Sequence, residues 1–270
     1  MPYYDMHCHL DFAPNARSAA KQIDELGVGA FAVGVLPPSK GMGGSAARSQ
    51  PRPCSGDAEG SLVRWGVGLH PWWVADGRAG EAELAALLSA IDDHTYIGEV
   101  GMDFGKAHGN NREEQLHAFR EMARACAARG GRVLSIHAVR SADVALDVLE
   151  DAGTLGECTC IFHWYSDSSD VLARAVKAGC YFSVGALMLA SKKGREYARQ
   201  IPAERLLLET DYPPKGECYE VGQMQAQLAE TCATVAKLRG VDVAELAERI
   251  AATSRYLLSC NDRGGQGLAG

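Results

Sequence analysis

Eight short apolar runs, each followed by a helix-periodic or loop segment, constrain this chain of 270 residues more than any other feature. They occupy 3–7, 30–36, 62–69, 96–100, 132–136, 159–162, 180–184 and 205–208. Their hydrophobicity is near-continuous rather than alternating, the pattern of parallel strands covered on both faces. Amphipathic stretches lie between them. Leu84, Leu87, Leu88 and Ile91 share one helical face; Leu116, Phe119 and Cys126 mark the next helix. Val144, Val148 and Leu149 mark another, with Ser141 as its expected N-cap. Met224, Leu228, Cys232 and Val235 form a later stripe, and Leu246, Ile250 and Leu257 the last, opened by Asp242 and Glu245 at capping-box spacing. The count predicts an α/β fold, a single (β/α)8 TIM barrel with its active site at the C-terminal ends of the strands. The barrel is expected over 1–260, followed by a Gly-rich flexible tail at 261–270. Residues 37–60 hold Pro37, Pro38, Pro51 and Pro53, five glycines, Lys40, Arg48 and Arg52, and are expected to be a long loop on the active-site face.

Composition narrows the class. With 47% hydrophobic residues the chain reads as an ordinary globular protein, and its formal charge of −7 argues against a broad electrostatic grip on duplex nucleic acid. A local pocket for a few phosphates stays open. No basic segment leads into an apolar one at the start, and no run approaches the roughly 18 apolar residues of a membrane span. The nine cysteines are scattered without a C-x-x-C pair, which leaves zinc-finger and thioredoxin-type sites unsupported. A cytoplasmic location is expected, with no membrane association and no obligate protein partner.

The chemistry-bearing residues fall at particular places. His7 and His9 end the first run and Glu99 the fourth; His137 follows the fifth, His163 the sixth and Asp211 the eighth. All six sit where barrel loops build active sites. Taken singly, each has a plain reading: a core or surface histidine, a strand-end charge, a turn aspartate. Their conjunction on one face points to metal, because imidazole nitrogen and carboxylate oxygen are the donors a borderline transition metal prefers. Four histidines and two carboxylates suffice for two ions with one carboxylate bridging. Two such centres, about 3.5–4 Å apart, clamp a phosphoryl group and lower the pKa of a bound water.

Asp5-Met6-His7-Cys8-His9-Leu10, Gly68-Leu69-His70-Pro71, Gly98-Glu99-Val100-Gly101-Met102-Asp103, Gln115 with Phe119, His137, His163 and Glu209-Thr210-Asp211-Tyr212-Pro213 occur in one order. In this the chain resembles the TatD family of metal-dependent hydrolases, in the amidohydrolase-like superfamily. The resemblance implies a metal-dependent phosphodiesterase, typically a deoxyribonuclease trimming DNA from an end. It implies that His7, His9, Glu99 and Asp211 hold one divalent ion and Glu99, His137 and His163 the other, as Zn, Mn or Mg. Asp5, Asp103 and Glu209 would orient those ligands, a strand-end ion pair being as good a reading of Glu209. The chain also departs from the family pattern. Arg140 comes three residues after His137 rather than two. The turn Trp164-Tyr165-Ser166-Asp167-Ser168 lacks the usual glycine, the 37–60 segment is longer, and Ala252-Thr253-Ser254 replaces a common asparagine.

The expected function is therefore divalent-metal-dependent hydrolysis of a phosphodiester, in DNA ends or short single strands, through a metal-activated water. Glu99 and Asp211 are the expected catalytic residues, Asp211 taking the water's proton. His70, Arg140 and Trp164 are expected to contact substrate, although His70 reads equally as a core or turn histidine. Trp72, Trp73 and Trp164 lie past strand ends, to stack bases or to pack as a lid. An alternative is attack of the same water on a carbonyl, in an ester, lactone or aminoacyl ester. Many amidohydrolases carry a modified lysine at the end of strand four; Glu99 stands there instead. A non-catalytic metal scaffold and a histidinol-phosphatase-like barrel are weaker rivals, the latter needing an early His-x-His-x-His and more than eight histidines. Two divalent ions would bring the formal charge of −7 to about −3, so phosphate should bind only the metal-loaded chain.

Overall fold

The computed structural model describes residues 2–37, 60–213 and 220–259. The loop expected at 37–60, save its two end residues, and the tail at 261–270 lie outside the described residues. Nine strands form among those described: β1 (Tyr4–Cys8), β2 (Gly29–Ala32), β3 (Val63–Trp65), β4 (Val67–Leu69), β5 (Tyr96–Asp103), β6 (Val133–Val139), β7 (Thr159–His163), β8 (Tyr181–Val184) and β9 (Leu206–Leu208). Every pairing is parallel, in the orders β1-β2-β3 and β4-β5-β6-β7-β8-β9.

The run at 62–69 is two strands where one was expected. At Gly66 the N–H turns to the Ala32 carbonyl at 2.8 Å, and a Cβ there would stand 2.6 Å from the Phe31 ring. β3 and β4 are thus consecutive halves of one barrel position, and nine segments fill eight places. Backbone hydrogen bonds cross both seams between the sheets. Gly34 donates to Gly98 O and accepts from Glu99 N, each at 2.8 Å, while Asp211 donates to His7 O at 2.9 Å and His9 to Tyr212 O at 2.8 Å. Strand order, parallel sense and intervening helices are those of a (β/α)8 barrel.

Helices cover the outside as their periodicity requires. Leu84, Leu87 and Ile91 are buried from helix Glu81–Ile91, Phe119 and Cys126 from Arg112–Arg129, and Met224, Leu228, Cys232 and Val235 from Val221–Arg239. The cap expected at Ser141 takes a different form. Ser141 precedes helix Ala142–Asp151, but its hydroxyl donates to Met102 O at 2.7 Å, and Asp167 Oδ2 accepts the Ala142 N–H instead. The Ser141 hydroxyl accepts from none of the helix's first N–H groups and so ties helix to barrel rather than capping. Asp242 does cap helix Val243–Leu258, accepting from Ala244 N and Glu245 N.

The barrel interior is plugged from one end. Met6, Phe31, Val33, Tyr96, Val133, Ile161 and Leu207 pack together with Ala251, Leu257 and Leu258 of the last helix. The Tyr96 hydroxyl donates to Leu257 O at 3.2 Å, which satisfies the one polar atom this aromatic brings inside. Each large apolar side chain buried in such a plug contributes roughly 1.5–3 kcal/mol. The N-terminal end is filled with hydrocarbon, so most buried polar groups have their place toward the strands' C-terminal ends. Among the described residues no helix is long and apolar enough to cross a membrane.

Candidate metal centre

The chain buries nine ionisable side chains in one region: Asp5, His7, His9, His70, Glu99, Asp103, His137, His163 and Glu209. Most lie toward the C-terminal ends of its strands, with Asp5 near the start of β1 and Glu99 midway along β5. A burial of this kind is costly unless the groups pair or hold ions. β1 delivers Asp5 and His7, with His9 one residue beyond it; β5 delivers Glu99 and Asp103, β6 His137 and β7 His163. Glu209, Thr210 and Asp211 follow β9, Asp211 at φ 53°. Two glycines allow β5 this place. A Cβ on Gly68 would lie 2.1 Å from Gly34 O and 2.4 Å from Glu99 N, and one on Gly101, at φ 143°, 2.0 Å from His137 O.

Glu99 lies at the middle, and its two oxygens face different partners. Oε2 is 3.2 Å from His9 Nε2 and 3.4 Å from His7 Nε2. Oε1 is 2.7 Å from His137 Nδ1, 2.9 Å from His163 Nε2 and 3.2 Å from His70 Nε2. Asp211 Oδ1 stands on the first side, 3.4 Å from His9 Nε2 and 3.6 Å from His7 Nε2. Four donors about 2.1 Å from a central ion, the zinc–nitrogen and zinc–oxygen distance, stand about 3.4 Å apart at tetrahedral corners. The separations of 3.2–3.6 Å among His7, His9, Glu99 and Asp211 fit that frame. His7 Nε2 is buried with no hydrogen-bond partner in this cluster, as a lone pair awaiting a cation would be. Ligand atoms within 4.8 Å of one another also group as His7, His163 and Glu209, and as His70, Glu99 and His137. Of the second expected set, His137 Nδ1 and His163 Nε2 are 3.2 Å apart.

Behind the rings stand further polar groups. His7 Nδ1 meets Ser135 Oγ at 2.7 Å, His9 Nδ1 faces Asp11 Oδ1 at 3.7 Å, His137 Nε2 meets Asp103 Oδ2 at 3.2 Å, and His163 Nδ1 faces Glu209 Oε2 at 3.8 Å. Ser135 and Asp103 are placed to accept the outer N–H of His7 and His137 and so to turn the other nitrogen inward. Asp11 and Glu209, by contrast, stand beyond hydrogen-bond distance of His9 and His163. His70 differs: its Nδ1 accepts from Trp72 N at 3.1 Å, as the N-cap of helix Pro71–Ala75. Asp103 also accepts from Trp72 Nε1 at 2.6 Å, and its backbone N–H is taken by buried Gln115 at 2.8 Å. Asp5 accepts from Thr210 N at 3.0 Å, Thr210 Oγ1 at 2.5 Å and His7 N at 3.2 Å, which clamps β1 to the segment after β9.

The electrostatics follow from this crowding. Burial opposes the Glu99 charge, but His70, His163 and His7 hold its carboxyl well below the usual range. Burial, with His163 beside it, pushes His7 down to about 4, so its imidazole is neutral at pH 7. For His137 burial works against the charge, yet its bonds to Asp103 and Glu99 lift it to about 9. Burial and the nearby Asp211 push Glu209 well above the carboxylate range, and it accepts from Ser183 Oγ at 2.5 Å and from Trp164 N at 3.1 Å. Burial opposes the Asp211 charge, while His9 and His7 hold its pKa below the ordinary value.

His70 thus joins the cluster, Asp5, Asp103 and Glu209 stand directly behind it, and two expected substrate residues lie outside it, Trp164 reaching Glu209 only through its backbone N–H. Arg140, exposed at φ 53°, and Trp164, 37% exposed at φ 39°, lie on the rim after β6 and β7. Ser135, Ser183 and Asp11 were not foreseen. The two serines had a signal, a single hydroxyl inside an otherwise apolar strand (Val133-Leu134-Ser135-Ile136 and Tyr181-Phe182-Ser183-Val184).

The chain is similar in fold to YJJV, a TatD homolog from Escherichia coli, with TM-score 0.74, 22% identity, and 95% of this chain and 97% of that chain covered. It is 24% identical over 155 residues to the human protein named deoxyribonuclease TATDN3, covering 56% of this chain and 55% of that one. With the Citrobacter rodentium protein named 3'-5' ssDNA/RNA exonuclease TatD it shares 27% identity over 150 residues, 54% of this chain and 56% of the relative. The matches to these two relatives therefore span little more than half of their length. The model of the family described as TatD related DNase matches residues 4–259, and the chain belongs to that family.

Proposed function

We propose that this chain is a divalent-metal-dependent phosphodiesterase acting on DNA ends or short single strands, in the cytoplasm. The observation that carries the reading is the split of Glu99: Oε2 toward His7 and His9, Oε1 toward His137 and His163. In this reading His7, His9, Glu99 and Asp211 hold one ion, and Glu99, His137 and His163 the other. The ions would supply Lewis-acid activation of water and neutralisation of phosphate charge. The family membership and the names of the two relatives favour phosphorus over carbonyl chemistry.

The chain's own residues then divide the work. The Asp211 side chain is 22% exposed, against 1% for Glu99, so Asp211 is the carboxylate open to an incoming water and takes its proton. The water oxygen bonds to phosphorus, the bond to the leaving sugar oxygen breaks, that oxygen takes a proton from solvent, and Asp211 releases the proton it took back to solvent. His70 directs its Nε2–H into the cluster, toward Glu99 Oε1 at 3.2 Å, where an entering non-bridging oxygen would share it, and Arg140 on the rim meets the charge of a neighbouring phosphate. Asp103 holds the orientation of His137, and Glu209 faces His163. Donor softness alone favours Zn or Mn over Mg, and cellular availability can override it.

The deciding experiment is a side-by-side assay on single-stranded DNA, duplex DNA, a p-nitrophenyl phosphodiester and carboxyl esters, with Zn, Mn or Mg added. The reading expects turnover of the phosphorus substrates, fastest on single strands or ends. Turnover of carboxyl esters alone would overturn it.

A further inference from the structure

Four tryptophans fall in the described chain, and their surroundings separate them. Trp65 is half-buried at the end of β3, packed against the main hydrophobic core. Trp72 is held on several sides: its indole N–H binds Asp103, its ring stacks on His108 at 4.2 Å with a 15° angle, and His70 meets its edge at 4.9 Å. Trp73 is covered by the Arg78 guanidinium, 3.8 Å above its ring. Trp164 is the exception. It follows the end of β7 directly after His163, is 37% exposed, and its indole meets no ring, cation or hydrogen-bond acceptor among the described residues.

The backbone holds Trp164 in place while leaving its side chain unused. Its N–H donates to Glu209 Oε1 at 3.1 Å and to Ser183 O at 3.3 Å, and its φ of 39° lies in the left-handed region that side-chain-bearing residues rarely adopt. Such a conformation persists only where its surroundings enforce it. Buried Tyr165, packed against Phe162, Phe182 and Tyr197, anchors the next residue. A large aromatic is therefore displayed at a fixed point beside the metal-type cluster.

Trp164 has neighbours of matching character along the rim. The exposed large apolar residues Phe12 and Leu187, 45% and 47% exposed, follow β1 and β8. The barrel order β7-β8-β9-β1 places all three on one arc, with Asp211, after β9, between them. Phe12 lies 5.3 Å from the His9 ring. Arg140, after β6, stands beyond the Trp164 end of this arc. An apolar, aromatic arc next to a phosphate-type centre suits a planar base, whereas a simple phosphoester offers nothing for it to hold.

We infer that Trp164 is the base-stacking residue of this site, gripping an unpaired nucleobase next to the phosphate to be cut, with Phe12 and Leu187 bordering the same face. This rests on the phosphodiesterase reading and names the residue by which the site would grip an unpaired end. Bases inside a duplex have their faces covered, so only an unpaired base can lie on the indole. Stacking is tolerant of sequence because every base has a π-face.

The test uses the metal-loaded chain with a short phosphorothioate oligothymidylate for binding and the ordinary phosphodiester for turnover. The oligothymidylate should quench tryptophan emission in the unaltered chain, and Trp164→Phe should abolish the quench while keeping affinity within a few-fold. Trp164→Ala should raise KM for the oligonucleotide roughly 5- to 150-fold, the span that alanine substitution of stacking aromatics gives. Metal content and thermal midpoint of both variants should match the unaltered chain, since the bonds to Glu209 and Ser183 come from the backbone. Persistence of the quench in Trp164→Phe, or an oligonucleotide KM within about twofold in Trp164→Ala, would overturn the assignment. An unaltered chain that cuts the p-nitrophenyl phosphodiester but neither binds nor cuts the oligonucleotide overturns it too. One that hydrolyses no phosphodiester at all removes the phosphodiesterase reading on which it rests.

Discussion

Trp72 donates its backbone N–H to His70 Nδ1 at 3.1 Å, and that bond fixes which nitrogen of His70 carries the proton. A neutral imidazole has one donor and one acceptor. With Nδ1 accepting, Nε2 bears the hydrogen and points it at Glu99 Oε1, 3.2 Å away. His70 is therefore a donor into the cluster, although its position alone would let it pass for a fifth imidazole ligand.

His70→Ala should keep the full metal content and lose about 10²- to 10³-fold in kcat/KM, the range for removing one preorganised donor to a developing oxyanion. His137→Ala, by contrast, should lose metal. Elemental analysis of both variants beside steady-state kinetics decides the matter. Loss of an ion in His70→Ala would show that the ring is a ligand.

Glu99→Gln places an amide N–H₂ where one half of the cluster needs an acceptor. Whichever oxygen is replaced, either the His7–His9 side or the His137–His163 side faces a donor. We expect kcat to drop on the order of 10³-fold and at least one ion per chain to be lost, with the circular dichroism unchanged. A variant that retains activity within about tenfold would remove Glu99 from the mechanism.

Much of this was legible in the sequence, and the parts that were not have identifiable causes. The apolar runs located every strand position, because parallel strands buried on both faces leave a continuous hydrophobic signal. The break at Gly66 was hidden, since it follows from the Phe31 ring on a neighbouring strand. The ring of histidines and carboxylates was visible because each falls at the end of such a run. Arg140 and Trp164 shared that position yet stand exposed on the rim, as residues past a strand end can turn either way. Ser141 satisfied the local rule for a cap, but the Met102 carbonyl, 39 residues away in sequence, took its hydroxyl. Long-range partners of this kind leave no local trace.

Metal removal should be readable as stability. An ion that binds the folded chain and not the unfolded one stabilises it by about 4 kcal/mol when present at 1,000 times its Kd. For a chain of this size that corresponds to roughly 5–10 °C in thermal midpoint. Dialysis against a chelator should lower the midpoint by about this amount, and returning Zn or Mn should restore it. A midpoint indifferent to chelation and to added ions would leave the nine buried ionisable groups without their proposed partner.

Gly68→Ala tests how the fold supports the site. The added methyl would stand 2.1 Å from Gly34 O, 2.4 Å from Glu99 N and 2.5 Å from Glu99 O, all backbone atoms that no rotamer change can move. The hydrogen bond from Glu99 N to Gly34 O at 2.8 Å must then open, and it is part of the seam joining the two sheets. Overpacking of this kind costs about 3 kcal/mol, so thermal or urea unfolding should show a clear loss. Glu99 would shift with its backbone, and activity should fall further than the fraction of unfolded chain accounts for. Full activity per folded molecule, measured at a temperature where the variant stays native, would mean that the position of Glu99 does not depend on this close approach.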